Sequence, residues 1–264
     1  MHDEVNPAIP EATVAEAAVA IFGDALSQAE KYAELLAGSG VERGVIGPAE
    51  ADRIWERHLL NCAAVAHLVP ARCSLVDVGS GGGLPGIVLA MLQPQARVTL
   101  LEPLARRVDF LTETIGELGL TNTEVVRGRA EDLAGELSAD VVTARAVAPL
   151  DKLAGLAVGL VRPGGRVLAI KGSGAEAELA KARPVLGRLG VTDARVVRAT
   201  SPGGGATATV VTFTAPDHRG SGRGMRTGGH AGSRGPAARG GRTGQPGPPA
   251  AGRRGRPNSR RGGG

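Results

Sequence analysis

Residues 75–86 read LVDVGSGGGLPG, and this stretch decides the fold. The apolar run at 75–78 is typical of a buried strand, and the apolar run at 87–92 indicates a helix after the glycines. A strand, a glycine turn and a helix in this order build the carboxyl edge of an open α/β sheet. Ligands bind at that edge in such sheets.

The glycines of this turn predict close contact between the backbone and a ligand. Glycine has no Cβ and tolerates a positive φ, so a small molecule can rest directly on the turn. Asp77, within the strand, is expected to point toward the same opening. We therefore predict ligand contacts from Asp77, Gly79, Gly81 and Gly83.

Apolar strands and helical runs alternate after the turn, which predicts a parallel sheet with right-handed crossovers. The pattern predicts strands at 97–102, 123–126, 140–143 and 166–170, and helices at 104–118, 150–161 and 175–189. It then changes to two strands, 195–198 and 207–214, joined by the turn-rich SPGGG. The predicted fold is α/β: a Rossmann-like class I methyltransferase fold with a mostly parallel seven-stranded sheet and an antiparallel C-terminal hairpin.

Three segments are predicted along the chain. Residues 1–70 form an N-terminal helical cap, with helices expected over 10–37 and, opened by Pro48, over 48–66. Arg53, Arg57 and Asn61 are expected to share one face of the second helix. Residues 71–215 form the Rossmann-like core, and residues 216–264 form a disordered tail rich in Arg, Gly and Pro.

The tail carries the basic charge of the chain. It holds 11 arginines and one acidic residue, out of 31 basic and 26 acidic residues in the whole chain. The remaining part is therefore mildly acidic, with about 20 basic and 25 acidic residues. The tail arginines could attract RNA without regard to sequence, or they could only solubilise the chain.

The composition also excludes several classes of protein. Cys62 and Cys73 form no CxxC pair and no zinc spacing, so we expect reduced thiols and no metal. No signal peptide or membrane span is predicted. We expect a cytoplasmic, monomeric protein with no membrane partner.

The cofactor follows from the frame of the glycines. The frame Gly81, Gly83, Gly86 satisfies the dinucleotide pattern GxGxxG, but it begins two residues late and places Pro85 beside the third glycine. In the other frame the strand runs straight into Gly79, which resembles the binding of S-adenosylmethionine. Glu102, at the end of the second strand, could accept hydrogen bonds from both ribose hydroxyls of either cofactor.

Five strings in register resemble one family. They are DVGSGGGLPGI at 77–87, LLEPLARRVDFL at 100–111, VVRGRAEDL at 125–133, ARAVAPL at 144–150 and AIKG at 169–172. Over residues 10–214 the chain resembles the 16S rRNA guanine-N(7) methyltransferase family. The resemblance implies methyl transfer from S-adenosylmethionine to nitrogen 7 of guanine 527, in the 530 loop of 16S rRNA.

The resemblance also implies site residues. By motif, the cofactor contacts fall on Gly79, Leu84, Ala130, Glu131 and Arg145. Family members commonly show Arg-His-x-x-Asp-Ser where this chain has RHLLNC at 57–62, so Arg57 and His58 are the candidates for RNA contact.

Two strand ends carry the candidates for the chemistry. Arg145 could bind the cofactor carboxylate or donate to guanine O6, and Lys171 could hold a phosphate or the base. Nitrogen 7 has a free lone pair, so the reaction needs positioning and no general base. Two other functions stay open: a non-catalytic assembly factor that binds the cofactor and RNA, and an NAD-dependent oxidoreductase.

Overall fold

The structure, a computed structural model, describes residues 11–217. Most of the predicted tail lies outside the described residues, as do residues 1–10. The helices are α1 (Glu11–Phe22), α2 (Leu26–Leu35), α3 (Asn61–Ala63), α4 (Gly86–Leu92), α5 (Ala105–Glu117), α6 (Leu150–Leu160) and α7 (Ala175–Arg188). The strands are β1 (Ser74–Val78), β2 (Arg97–Glu102), β3 (Thr123–Arg127), β4 (Ala139–Arg145), β5 (Val161–Lys171), β6 (Arg195–Thr200) and β7 (Thr207–Thr214).

All seven strands form one sheet in the order β3-β2-β1-β4-β5-β7-β6. Strands β1 to β5 pair in parallel, and β7 pairs antiparallel with both β5 and β6. The predicted Rossmann-like methyltransferase fold is confirmed. The strand order reverses between β1 and β4, so a crevice opens there at the carboxyl edge of the sheet.

Both faces of the sheet are covered by helices, because successive residues of a strand point to opposite faces. The helical elements before β1, residues 11–68, are called the N-terminal helical segment. Leu75 packs on the face covered by this segment, α4 and α5. Val76 packs on the opposite face, which α6 and α7 cover. The result is a three-layer arrangement with a buried sheet in the middle.

The first predicted helix, 10–37, is interrupted. Helix α1 ends at Phe22, a 3-10 turn covers Gly23–Ala25, and α2 begins at Leu26. Gly23 has a φ of +49°, outside the right-handed helical region, and glycine adopts it without strain. After α2 a π-helical turn, Leu36–Gly40, extends the segment beyond its predicted end.

The second predicted helix, 48–66, is also not one regular helix. A 3-10 segment, Pro48–Arg53, is followed by a π-helical segment, Ile54–Leu60, and by α3. The backbone leaves the helical region at Arg53, with φ −121° and ψ 19°. Of the three residues predicted to share one face, Arg57 and Asn61 line the same cavity, whereas Arg53 pairs with Glu56.

No helix between residues 11 and 217 is long and apolar enough to cross a membrane.

Candidate functional site

The glycine turn at residues 79–83 leaves β1 and folds over the end of β2. The N–H groups of Gly79 and Ser80 both donate to the Leu101 carbonyl, at 2.8 and 3.1 Å. Gly79 has a φ of +63°, and a Cβ there would lie 2.9 Å from a methyl carbon of Val147. The backbone and the close approach of Val147 thus both require glycine at this position.

The N-terminal helical segment holds the turn from outside. Tyr32 of α2 is fully buried, and its hydroxyl donates to the Gly82 carbonyl at 2.6 Å. A Cβ at Gly82 would lie 3.1 Å from Val45 and 3.2 Å from Leu36. No local pattern of the sequence indicates this contact, because Tyr32 and Gly82 lie 50 residues apart along the chain.

Asp77 lies beneath the turn. Its side chain is fully buried; Oδ2 accepts from the Gly86 N–H at 3.1 Å, and Oδ1 accepts from the Thr143 hydroxyl at 3.1 Å. Burial raises the pKa of this carboxyl to about 7. The expectation that Asp77 points toward the ligand opening is therefore corrected: it ties β1 to the start of α4 and to β4.

Gly83 also supports the turn from within. It has a φ of +94°, and a Cβ at this position would collide with Ile87 and lie 3.0 Å from the Tyr32 hydroxyl. Gly83 is buried and lines none of the cavities described below. The structure thus gives Gly83 a packing role, and its contact with the cofactor stays a prediction.

Glu102 braces the turn from the end of β2. Its carboxylate is 1% exposed; Oε2 accepts from the Gly81 N–H and Oε1 from the Leu104 N–H, each at 3.0 Å. Arg107 Nη1 lies 3.8 Å from Oε2. A carboxylate offers about four lone pairs, so these bonds leave capacity for hydroxyl donors.

Three adjoining cavities open at the carboxyl edge of the sheet. The Ala130 cavity, about 540 Å³, lies between Gly79, Ala130 and Lys152. The turn cavity, about 230 Å³, lies between the glycine turn, the helical segment and Arg145. The Lys171 cavity, about 790 Å³, lies between Arg145, Lys171 and the helical segment.

The three cavities adjoin one another, because each pair shares lining residues, and together they are called the groove. Gly79 lines both the Ala130 cavity and the turn cavity, and Arg145 and Ala146 line both the turn cavity and the Lys171 cavity. Val147 and Ala148 separate the Ala130 cavity from the Lys171 cavity. An elongated ligand on the first two cavities would thus reach a second molecule in the third.

Most of the predicted cofactor residues line this groove. Among them, six are found in the Ala130 cavity or the turn cavity: Gly79, Gly81, Leu84, Ala130, Glu131 and Arg145. The buried residues Asp77, Gly83 and Glu102 lie behind its wall. The spacing of the glycines predicted the turn, but it could not separate the residues that face a ligand from those that support the turn.

Arg145, at the end of β4, is held by the helical segment. Its Nη2 donates to the Arg57 carbonyl at 2.6 Å and to His58 Nδ1 at 2.8 Å, and its Nη1 donates to Cys62 Sγ at 3.4 Å. Burial raises the pKa of the Cys62 thiol to about 11, so the sulfur stays protonated near neutral pH. The guanidinium is thus fixed from one side.

His58, a candidate for RNA contact in the sequence analysis, lies between Glu50 and Arg145. It is buried, and its Nε2 lies 2.9 Å from Glu50 Oε2 while Nδ1 faces Arg145. Burial, and secondarily the charge of Arg145, lower the pKa of the ring. Arg57, by contrast, is half-exposed, pairs with Glu50 at 3.0 Å, and lines the Lys171 cavity.

Lys171, at the end of β5, contacts the loop between β4 and α6 and also helix α7. Its ammonium donates to the Ala148 carbonyl at 2.9 Å and pairs with Glu178 at 2.8 Å. Glu178 in turn accepts from the Leu150 N–H. The lysine lines its cavity, and one of its three N–H groups is left over after these two contacts.

The loop after β4 is strained. Ala146 has a φ of +56°, the only positive φ of a non-glycine residue among residues 11–217. Such strain persists only where the surroundings over-determine the backbone. Here Arg145 is held on one side of Ala146, and Ala148 on the other.

The described residues bring together no group of three or more His, Cys, Asp or Glu side chains that could hold a metal ion.

The comparisons with known proteins identify the family. A model of the GidB family, described as rRNA small subunit methyltransferase G, matches residues 25–202. A ribosomal RNA small subunit methyltransferase G of Thermobifida fusca is 56% identical over 183 residues, 69% of this chain and 77% of that protein. One of Kineococcus radiotolerans is 51% identical over 208 residues, 78% of this chain and 82% of that protein.

Among solved structures, an S-adenosylmethionine-dependent O-methyltransferase of Thermotoga maritima is similar to this chain with a TM-score of 0.46. The two are 15% identical, and the match covers 60% of this chain and 65% of that chain.

Proposed function

Because this chain belongs to the rRNA small subunit methyltransferase G family, we propose that it transfers a methyl group from S-adenosylmethionine to 16S rRNA. The target is nitrogen 7 of guanine 527 in the 530 loop. The observation that supports the proposal is the set of adjoining cavities at the β1/β4 crevice, which places a cofactor-sized space beside a larger, open one.

The residues present fit this cofactor. Gly79 and Gly81 line the cavities and have no side chain, so bare backbone is available to the ligand there. Gly79, Gly81 and Leu84 would hold the methionine part, with Arg145 on its carboxylate. Ala130 and Glu131 would contact the adenine, and Glu102 the ribose hydroxyls.

The larger cavity would take the guanine. When bound, S-adenosylmethionine supplies an electrophilic methyl group, and nitrogen 7 of a neutral guanine accepts it through a lone pair that needs no deprotonation. The protein therefore contributes orientation and exclusion of water. Arg57 and the remaining N–H of Lys171 face this cavity and can hold a phosphate or guanine O6.

The remaining parts of the proposal concern the whole chain. A cytoplasmic location follows from the rRNA substrate, and the protein acts as a monomer and without a metal. We assign residues 1–70 to a helical cap, 71–215 to the methyltransferase core and 216–264 to a basic tail. The tail either attracts rRNA or solubilises the chain.

Two measurements test the cofactor and the reaction. Calorimetric titration with S-adenosylmethionine and with NAD should show binding of the first and none of the second. Single-turnover transfer of a labelled methyl group to small subunits and to naked rRNA lacking the modification should then label RNA in at least one of the two. The matched control is Arg145→Ala, which should lose labelling.

Each alternative has its own outcome. Cofactor binding with no labelled RNA in either substrate would favour a non-catalytic assembly factor. Binding of NAD in place of S-adenosylmethionine would favour an oxidoreductase and overturn the proposal.

A further inference from the structure

A chain of four polar groups runs from the protein surface to the groove. Arg57 Nη1 donates to Glu50 Oε1 at 3.0 Å, Glu50 Oε2 lies 2.9 Å from His58 Nε2, and His58 Nδ1 lies 2.8 Å from Arg145 Nη2. The first three residues belong to the helical segment, whereas Arg145 ends β4. The proposed function gives Arg145 a ligand but gives His58 and Glu50 no task.

The chemistry of Arg145 fixes the state of the His58 ring. A guanidinium only donates hydrogen bonds, so His58 Nδ1 must accept. The ring is therefore neutral, with its proton on Nε2, where it donates to Glu50. A second proton on Nδ1 would place two donors against each other at 2.8 Å.

The same contacts determine which N–H groups of Arg145 are left for a ligand. Both N–H groups of Nη2 are used, by the Arg57 carbonyl and by His58, and one of Nη1 is used by Cys62. Nε and the second N–H of Nη1 have no partner among residues 11–217. Because Arg145 lines both the turn cavity and the Lys171 cavity, these two donors are available at the groove.

We propose that His58, braced by Glu50, is a positioning residue: it holds the guanidinium of Arg145 so that a remaining N–H group can donate to the cofactor carboxylate, and it withdraws that support when its ring is protonated. The inference rests on the proposed contact between Arg145 and S-adenosylmethionine. Binding of the cofactor should then weaken as the pH falls through the titration of His58.

Some charged groups around the His58 ring raise its pKa and others lower it. Arg145 from β4 and Arg57 from the same π-helical segment disfavour the second proton, and Glu50 from the 3-10 segment favours it. Arg107 from α5 lines the same cavity as a further cation. Burial also disfavours the charged ring, so the release is expected on the acid side of the ordinary histidine range.

Two substitutions test the contacts of the two ring nitrogens one at a time. In His58→Asn, Oδ1 takes the place of Nδ1 and still accepts from Arg145, but the bond to Glu50 is lost. In His58→Gln, Nε2 takes the place of the ring Nε2 and still donates to Glu50, but Arg145 loses its acceptor. The exposed His67→Asn is the control for replacing a histidine.

The experiment measures the affinity for S-adenosylmethionine and S-adenosylhomocysteine by calorimetry between about pH 5 and 8. His58→Gln should bind on the order of tenfold or more weaker than His58→Asn at the alkaline end, the effect of one lost bond to a charged group. The acid-side loss seen in the wild type and in His67→Asn should be absent from His58→Asn. Nitrogen NMR of the wild-type ring should show the proton on Nε2 at the alkaline end.

Three results would overturn the inference: equal affinities of the two His58 variants, an acid-side loss in His58→Asn equal to that of the wild type, or a ring protonated on Nδ1 at the alkaline end. Circular dichroism of each variant checks that it is folded. A wild-type protein that binds neither ligand at any pH would instead overturn the proposed function.

Discussion

At the scale of single residues, Glu102 makes the sharpest prediction about the cofactor. Replacing it with alanine should weaken S-adenosylmethionine binding by about 1–3 kcal/mol, because bonds to a charged acceptor are lost. The Gly81 and Leu104 N–H groups would also lose their acceptor, so the turn itself should loosen. Calorimetric titration measures the effect.

The matched control is Glu124→Ala, which removes an exposed carboxylate from the neighbouring strand β3, where it accepts from the Thr99 hydroxyl. It should leave the affinity unchanged. If Glu102→Ala bound the cofactor as tightly as the wild type, the placement of the ribose on Glu102 would be wrong.

Asp77 makes a prediction about stability and pH. Its pKa is about 7 in the folded chain, above the 3.8 of an ordinary aspartate, so the folded state binds more protons between these values. The free energy of unfolding should therefore fall as the pH rises from about 4 to about 7, by up to about 1.4 kcal/mol per pH unit from this group. Asp77→Asn should remove that slope.

Urea unfolding of both proteins across this pH range checks the prediction. Because His58 and other groups titrate in both proteins, the difference between wild type and variant isolates Asp77. The variant's relative stability should increase with pH. A difference that stays constant from pH 4 to 7 would show that Asp77 is ionised throughout.

Most of the site residues predicted from the sequence line the groove, but their orientation was not predictable. Strand alternation and glycine spacing placed Gly79 and Arg145 at one edge of the sheet, the family resemblance added Ala130, and all three line its cavities. Whether Asp77 faces a ligand or α4 depends on how closely α4 packs, and this is set by tertiary contacts. Arg145, which contacts His58 Nδ1, lies 87 residues further along the chain, so no local pattern predicts this contact.

At the scale of elements, Gly86 decides how closely α4 packs on β2. A Cβ there would collide with Leu100 and lie 2.8 Å from Asp77 Oδ2. Gly86→Ala should therefore destabilise the protein by about 1–3 kcal/mol, the usual cost of overpacking a core. Chemical denaturation measures it.

A glycine in open space provides the control. Gly155, in α6, is exposed and has no atom within 4 Å of a Cβ built on it, so Gly155→Ala should stabilise the protein by up to about 1 kcal/mol through helix propensity. Equal effects of the two substitutions would contradict the packing argument. The position of Pro85 beside Gly86 counted against the dinucleotide frame in the sequence. The close contact at Gly86 shows that α4 nevertheless packs tightly there.

The elements themselves were largely predictable, because alternation and helical periodicity are local. The order of strands and helices is confirmed from β1 to β7. The helical segment was not predicted in detail: Gly23 and Arg53 leave the helical region, and π-helical turns shift the register so that Ile54, Leu59 and Leu60 are all buried. Such shifts follow from packing on the sheet rather than from propensity.

At the scale of the whole molecule, the groove is built within one part of the chain. Every residue that lines its three cavities lies between Leu36 and Glu178. A chain ending at Asp217 should therefore bind S-adenosylmethionine with the affinity of the full chain. A loss of affinity on truncation would assign the tail a part in the cofactor site.

The same truncated chain decides between the two roles of the tail. If its arginines contact phosphates, the full chain should bind rRNA more tightly than the truncated chain and with a steeper dependence on salt. If they only solubilise the chain, the two salt slopes should coincide.

The measurement that tests the central claim most directly is the position of the methyl group. Small subunits and rRNA lacking the modification are incubated with the protein and S-adenosylmethionine, digested with nuclease, and analysed by nucleoside mass spectrometry. We predict 7-methylguanosine from the 530-loop fragment, at guanine 527 and nowhere else in 16S rRNA. A methyl group on another base or atom, or unmodified guanine 527 in every substrate, would contradict the account.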